Sequence, residues 1–172
     1  MKARAVIGQA VWGLFAFMLA GAALAQAPAA KFEPQVGQAG KDVIWVPTSQ
    51  ALVDAMMKIG KVTAKDVLFD LGSGDGRTVI TAAKLGARAT GIEYNPEMVE
   101  LSRQNAIKAG VADRATFMKA DLFETDFSKA DVITMFLLSS INLKLRPKIL
   151  DLKPGTRIVS NSFTMDNWQE DD

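Results

Sequence analysis

Val67-Leu68-Phe69-Asp70-Leu71-Gly72-Ser73-Gly74-Asp75-Gly76-Arg77 is the stretch around which the rest of the chain is organised. Four apolar residues with one embedded acid read as a short buried strand. Three alternate glycines make a tight turn, and Arg77-Thr78-Val79-Ile80-Thr81-Ala82-Ala83 opens a helix that runs to Gly86. A strand that ends in glycines and enters a helix is expected to face a crevice with backbone N–H groups and a positive dipole end. Glycine suits the turn because it accepts φ > 0 and because a Cβ would hold a ligand off the backbone. The spacing is G-x-G-x-G, not the G-x-G-x-x-G of a dinucleotide fingerprint.

Downstream, Arg88–Glu93 reads as a second strand, followed by Asn95 as a helix N-cap, Pro96 at the first helical position and Gly110 as the stop. Ala115–Lys119 is a third strand with Asp121 just past its end. Asp131–Leu137 is a fourth, almost unbroken in apolar character as a strand buried on both faces should be. A helix over Asn142–Leu152 and the Pro154-Gly155 turn precede a fifth strand, Arg157–Asn161. Upstream, Ser49 or Thr48 caps a helix whose Leu52, Ala55, Met56 and Ile59 share one face, and Gly60 ends it. This alternation predicts an α/β fold: an open, mostly parallel Rossmann-like sheet with helices on both faces. In such sheets a ligand sits beyond the carboxyl ends of the strands, where the strand order reverses. Asp70, Glu93 and Asp121 all fall near those ends.

The 172 residues, 49% of them hydrophobic, suffice for one domain with a proper core, read here as 43–172. Residues 26–42, with Pro28 and Pro34, read as a linker or extended arm. Residues 1–25 differ: Lys2 and Arg4, an apolar run from Val11 to Ala23 and the small-x-small Ala23-Leu24-Ala25 have the form of a signal peptide cleaved before Gln26. The expected location is therefore exported or periplasmic, with an inner-membrane anchor or a cytoplasmic protein as alternatives. Taking Lys2 and Arg4 from the 20 bases leaves 18 against 19 acids, so no basic field points to nucleic acid. Cysteine and histidine are both absent, which removes thiol nucleophiles, histidine bases and Cys/His metal sites.

Three acids and three glycines suit a ligand with a ribose, an adenine and a cationic centre. Glu93 can accept from both ribose hydroxyls, Asp121 from an exocyclic amine, and Asp70 can hold an ammonium or a water. The glycines bring backbone close to an amino-acid carboxylate. A negatively lined site also suits a sulfonium and matches a pyrophosphate poorly.

Asp70-Leu71-Gly72-Ser73-Gly74-Asp75-Gly76-Arg77, Gly91-Ile92-Glu93 and Ala120-Asp121-Leu122-Phe123 resemble the first three cofactor motifs of class I S-adenosylmethionine-dependent methyltransferases. Leu152-Lys153-Pro154-Gly155-Thr156 resembles the turn which that family places before its fifth strand. Val46-Pro47-Thr48 and Asn142-Leu143-Lys144-Leu145-Arg146-Pro147 are similar to a narrower group. It comprises bacterial methyltransferase-domain proteins and mitochondrial relatives that methylate lysines on membrane-embedded carriers and the ATP synthase c-subunit. The resemblance implies S-adenosyl-L-methionine as cofactor, bound by Asp70, Gly72, Ser73, Gly74, Gly76, Glu93, Tyr94, Asp121 and Leu122. It implies a membrane-associated protein lysine as acceptor, no nucleic-acid partner, and acceptor contacts at Thr48, Tyr94 and the Phe136–Ser139 segment. The chain departs from the wider family in two places. The Asn/Asp-Pro-Pro-Tyr/Phe run of amide and adenine N-methyltransferases is replaced by Met135-Phe136-Leu137-Leu138-Ser139-Ser140. The final antiparallel strand pair has no counterpart before Asp172, so the sequence reads as a fragment with an open sheet edge.

Plainer roles are expected elsewhere. Asp75 and Arg77 are turn and helix-start residues, Trp45 packs an apolar arm on the domain, Met56-Met57 fills the core, and Lys144, Arg146 and Lys148 form a solvated helix face. Two other functions remain open at this level: a non-catalytic binder of S-adenosylmethionine or a related nucleoside, and a small-molecule methyltransferase.

Overall fold

A computed structural model describes residues 32–171, and the leader read over 1–25 lies outside the described residues. The elements run α1 (Gln50–Ile59), β1 (Val67–Leu71), α2 (Arg77–Lys84), β2 (Arg88–Glu93), α3 (Pro96–Lys108), β3 (Ala115–Lys119), β4 (Val132–Met135), α4 (Ser139–Leu150) and β5 (Arg157–Ser160). The five strands pair in parallel in the order β3-β2-β1-β4-β5. The chain steps outward from β1 to β3, then crosses to β4 on the other side. The reversal therefore lies between β1 and β4, and a crevice opens at their carboxyl ends.

Alternation along the central strands divides the core. Leu68 and Val132 pack with Met56, Met57, Val79 and Val99 on one face. Leu71, Ile133 and Met135 pack with Phe127, Leu145 and Ile149 on the other. Asp70 and Thr134 lie side by side in register on the first of these faces.

The strands β1 to β3 match the sequence reading, and three other elements differ from it. In α1 the buried face is Val53, Met56 and Met57, while Leu52 and Ile59 are exposed. Gly60 follows with ordinary right-handed backbone, and Lys61 takes the positive φ of 47°. Gly60 instead suits close packing, since a Cβ there would stand 3.1 Å from Val159 and 3.2 Å from the Met56 carbonyl oxygen. β4 is shorter than Asp131–Leu137 because the Asp131 carboxylate accepts from the Val67 N–H (2.8 Å) and pairs with Lys153, while Phe136 and Leu137 turn into the crevice. Helix α4 begins three residues before Asn142, whose amide is fully buried and donates to the Phe163 carbonyl (3.0 Å) and the Ser160 hydroxyl (3.3 Å).

The set Lys144, Arg146 and Lys148 is not merely solvated. Arg146 donates to Asn167 (2.9 Å), and Lys148 donates to the Phe123 carbonyl (2.9 Å) while lying 4.9 Å over the Phe127 ring. Lys144 lies 5.8 Å over the Phe123 ring. These cations tie α4 to the segments that follow β3 and β5.

Leu68 is fully buried at the centre of the sheet, so Leu68→Ala should lower unfolding free energy by about 2–5 kcal/mol. Leu85→Ala, at a residue 49% exposed, should change it by less than about 0.5 kcal/mol. Urea titrations of the two variants check the pair.

Candidate functional site

The glycine turn is held by two neighbouring elements, β2 and α3. The N–H groups of Gly72 and Ser73 both donate to the Ile92 carbonyl (2.9 and 3.0 Å), and that of Gly74 donates to the Glu93 carboxylate (3.0 Å). The Gly76 N–H closes the turn on the Ser73 carbonyl (2.9 Å). From α3, Ser102 donates to the Gly74 carbonyl (2.9 Å) and Asn105 to the Asp75 carbonyl (3.1 Å). The expectation of free N–H groups facing the crevice is therefore corrected at these four positions, because neighbouring acceptors already use them. No cradle for a phosphate remains there.

The three glycines have φ of +78°, +54° and +83°, all in the left-handed region. Gly74 also allows a close approach, since a Cβ on it would stand 2.7 Å from the Trp45 indole nitrogen. Gly76 has a different reason from the one inferred from sequence. It does not line the crevice, and its Cβ would strike Phe117 (2.7 Å) and Ser102 (2.8 Å). Gly91 is needed likewise, because a Cβ there would stand 2.5 Å from the Ser73 hydroxyl.

Asp70, Gly72, Ser73, Gly74, Glu93, Tyr94, Asp121, Leu122, Thr48 and Phe136 all line one cleft at the carboxyl ends of the strands. Leu138 and Ser139 do not, since they begin α4. Tyr94 follows β2 and Phe136 follows β4, so β1 separates them. Phe136 stacks on Phe163, ring centroids 6.0 Å apart. Sequence reasoning missed Phe163, Ser102 and Asn105, whose roles depend on contacts far along the chain.

The acids differ in environment. Asp70 is 5% exposed and accepts from the Thr134 hydroxyl (2.7 Å). Burial pushes its carboxyl up to about 7, with Glu93 and Asp75 adding repulsion and the Thr134 bond opposing. Glu93 accepts from the Gly74 N–H on one oxygen and the Asn95 N–H (2.8 Å) on the other, leaving acceptor capacity on each. Asp121 accepts from the Phe123 N–H (2.9 Å) and pairs with Lys41, and the hydrogen bond from Lys41 is the main cause that holds its carboxyl below the usual range. Asp75 and Arg77 form a bidentate pair whose remaining guanidinium N–H donates to the Thr48 carbonyl (2.6 Å).

These residues fit S-adenosylmethionine. A buried carboxyl at Asp70 answers an ammonium, Glu93 answers a ribose diol, and Asp121 answers an exocyclic amine. The Ser73 hydroxyl is buried against Gly91 without a hydrogen-bond partner among the described residues.

The raised Asp70 carboxyl implies a sign for stability. The native state keeps a proton that the unfolded chain releases above about pH 4, so stability from this group falls as pH rises to about 7 and then levels. Asp70→Asn should remove that fall. Its melting temperature relative to wild type is expected to rise from pH 4 to 7, and thermal melts across that range check it.

The likeness to known proteins agrees with the geometry. Residues 70–172 match the ANTKMT methyltransferase domain. A protein-lysine N-methyltransferase from Saccharolobus islandicus is 46% identical over 73% of this chain and 80% of its own. The ATP synthase c-subunit lysine N-methyltransferase of Mus musculus is 34% identical over 74% of this chain, which spans about half (51%) of that protein. Among solved structures, an RNA methyltransferase from Salinibacter ruber in complex with S-adenosyl-L-homocysteine is 50% identical, with a TM-score of 0.72 over 74% of this chain and 84% of its own. The chain thus belongs to the ANTKMT methyltransferase domain family and is a class I S-adenosylmethionine-dependent methyltransferase.

Proposed function

We propose that the protein methylates the side-chain nitrogen of a protein lysine. The observation that carries this reading is the character of the cleft wall after β4. Met135, Phe136, Leu137 and Ile141 line it, with Phe136 backed by Phe163, and no polar group in that run is placed to receive a planar amide or base. A lysine must lose its proton before it attacks, and an apolar channel favours the neutral amine by desolvation. The names of the Saccharolobus and mouse relatives support the same acceptor. The Salinibacter relative carries an RNA name, but the cleft here is lined by Asp42, Asp70, Asp75, Glu93 and Asp121 against only Lys41 and Arg77, each already paired with one of those acids, so the described residues offer no free cation there to phosphates.

The bound cofactor supplies a methyl already activated on a sulfonium. The work left to this chain is to bind, align and exclude water. Asp70, Glu93 and Asp121 fix the two ends and the middle of the nucleoside, and the aromatic wall directs the incoming amine. No side chain of the site is required as a base. We also propose export, on the strength of Lys2, Arg4 and the Ala23-Leu24-Ala25 site; N-terminal sequencing beginning at Gln26 would support it, and an intact Met1 would refute it.

Incubation of the purified protein with radiolabelled donor and a membrane extract tests the acceptor. Label that is sensitive to protease, resistant to ribonuclease and recovered as methyl-lysine is the expected result, and ribonuclease-sensitive label would overturn it. Two variants should separate the halves of the site. Glu93→Ala should weaken S-adenosylhomocysteine binding about 10- to 100-fold through loss of a charged acceptor. Phe136→Ala should leave that affinity within about 2-fold while slowing transfer by roughly 10-fold or more.

A further inference from the structure

The segment that precedes α1 lines the cleft, and its residues before Val46 belong to none of the motifs quoted above. Residues 37–45 double back on themselves. The Gly37 N–H donates to the Trp45 carbonyl (2.9 Å), the Trp45 N–H to the Gln38 carbonyl (2.9 Å), and Ala39 bridges Ile44 in antiparallel fashion. The tip is tight enough that a Cβ on Gly40 would stand 2.3 Å from the Val43 carbonyl oxygen. At its base the loop is fastened to the domain by Arg77, which donates to the Thr48 carbonyl, and by the Trp45 indole against Gly74. Every residue from Gln38 to Thr48 lines the cleft.

At the tip, Lys41 reaches across to the far side. Its ammonium pairs with Asp121, lies 4.9 Å over the Tyr94 ring and 6.0 Å over the Phe123 ring, and stands 3.9 Å from Asp42 on its own loop. These contacts join the loop to the ends of β2 and β3, 80 residues away along the chain in the case of Asp121. We propose that residues 37–45 are the cover of the cofactor site and that Lys41 is its latch, a positioning residue that holds Asp121 in place and sets how fast cofactor and product leave.

Two features make the latch compatible with a bound nucleoside. The Phe123 N–H holds one oxygen of Asp121 and Lys41 the other, so the carboxylate is oriented from two sides while each oxygen keeps capacity for an exocyclic amine. Lys41 and Asp121 are also about one-third and one-quarter exposed, so their pair is open to salt. A nucleoside entering or leaving beneath the loop must part Lys41 from Asp121 and Tyr94, and this step belongs in the dissociation rate. The inference rests on the cofactor assignment and not on the identity of the acceptor.

Stopped-flow release of S-adenosylhomocysteine, followed by intrinsic tryptophan fluorescence or by displacement, tests it. Lys41→Met should raise the dissociation rate constant roughly 3- to 10-fold at low salt, the combined worth of an exposed ion pair and a cation–π contact. Added salt should speed release from wild type and have little effect on the variant, and Lys41→Arg should restore both behaviours in part. Lys41 is a surface residue at a loop tip, and matching thermal melts would confirm that the variants fold. Equal release rates with the same salt dependence in wild type and Lys41→Met would overturn the latch. Failure of wild type to bind S-adenosylhomocysteine would overturn the cofactor assignment and the latch with it.

Discussion

The bond between the glycine turn and the end of β2 is the constraint on which the site depends. One carbonyl, that of Ile92, takes the N–H groups of Gly72 and Ser73, and the Glu93 carboxylate takes that of Gly74. This welds the end of β1 to the end of β2. It requires positive φ at the glycines and a bare Cα at Gly91, where Ser73 presses in. It also converts a turn that would suit anions into one whose exposed chemistry is carboxylate. The acid at the end of β2 is thus both a structural acceptor and a ligand group, and its orientation is fixed before any ligand arrives.

The other acids follow from the same geometry. Asp70 is buried between β2 and β4 because its strand is central, and Thr134 in register beside it supplies the one neutral donor it can reach within the sheet. Its proton is held by desolvation, so a cation brought against it would be exchanged for that proton. Asp121 lies on the outer strand, where it remains ionised and attracts Lys41. A graded series results, from a buried acid with a raised pKa at the centre to an ion pair at the edge, and an ammonium-bearing nucleoside matches it from end to end.

Much of this was legible in the sequence because the signals are local. A glycine that needs positive φ, an acid at a strand end and an Asn-Pro helix start each act within a few residues, and β1, β2, β3 and the cap of α3 stand where the sequence puts them. The misread parts depend on partners distant in the chain. The face of α1 is ambiguous because Leu52/Ile59 and Val53/Met57 each satisfy helical spacing with Met56, and the core formed by Leu68, Val79, Val132 and Val159, on which Met56 and Met57 pack, decides between them. Asn142 resembles a helix start until its amide is needed at Phe163, and Lys41 resembles part of a linker until it meets Asp121. Gly76 reads as a ligand residue from its place in the motif, but its neighbours are Phe117 and Ser102.

The decisive point is that this cleft receives an ammonium-bearing nucleoside whose amine meets the buried Asp70 carboxyl and displaces its proton. Calorimetric titration with S-adenosylhomocysteine in buffers of different ionisation heat measures the protons released on binding. Net proton release is expected at pH 6 and diminishes as the pH rises through about 7, and Asp70→Asn should abolish it. Binding without proton release at pH 6, or release that persists in Asp70→Asn, would contradict it.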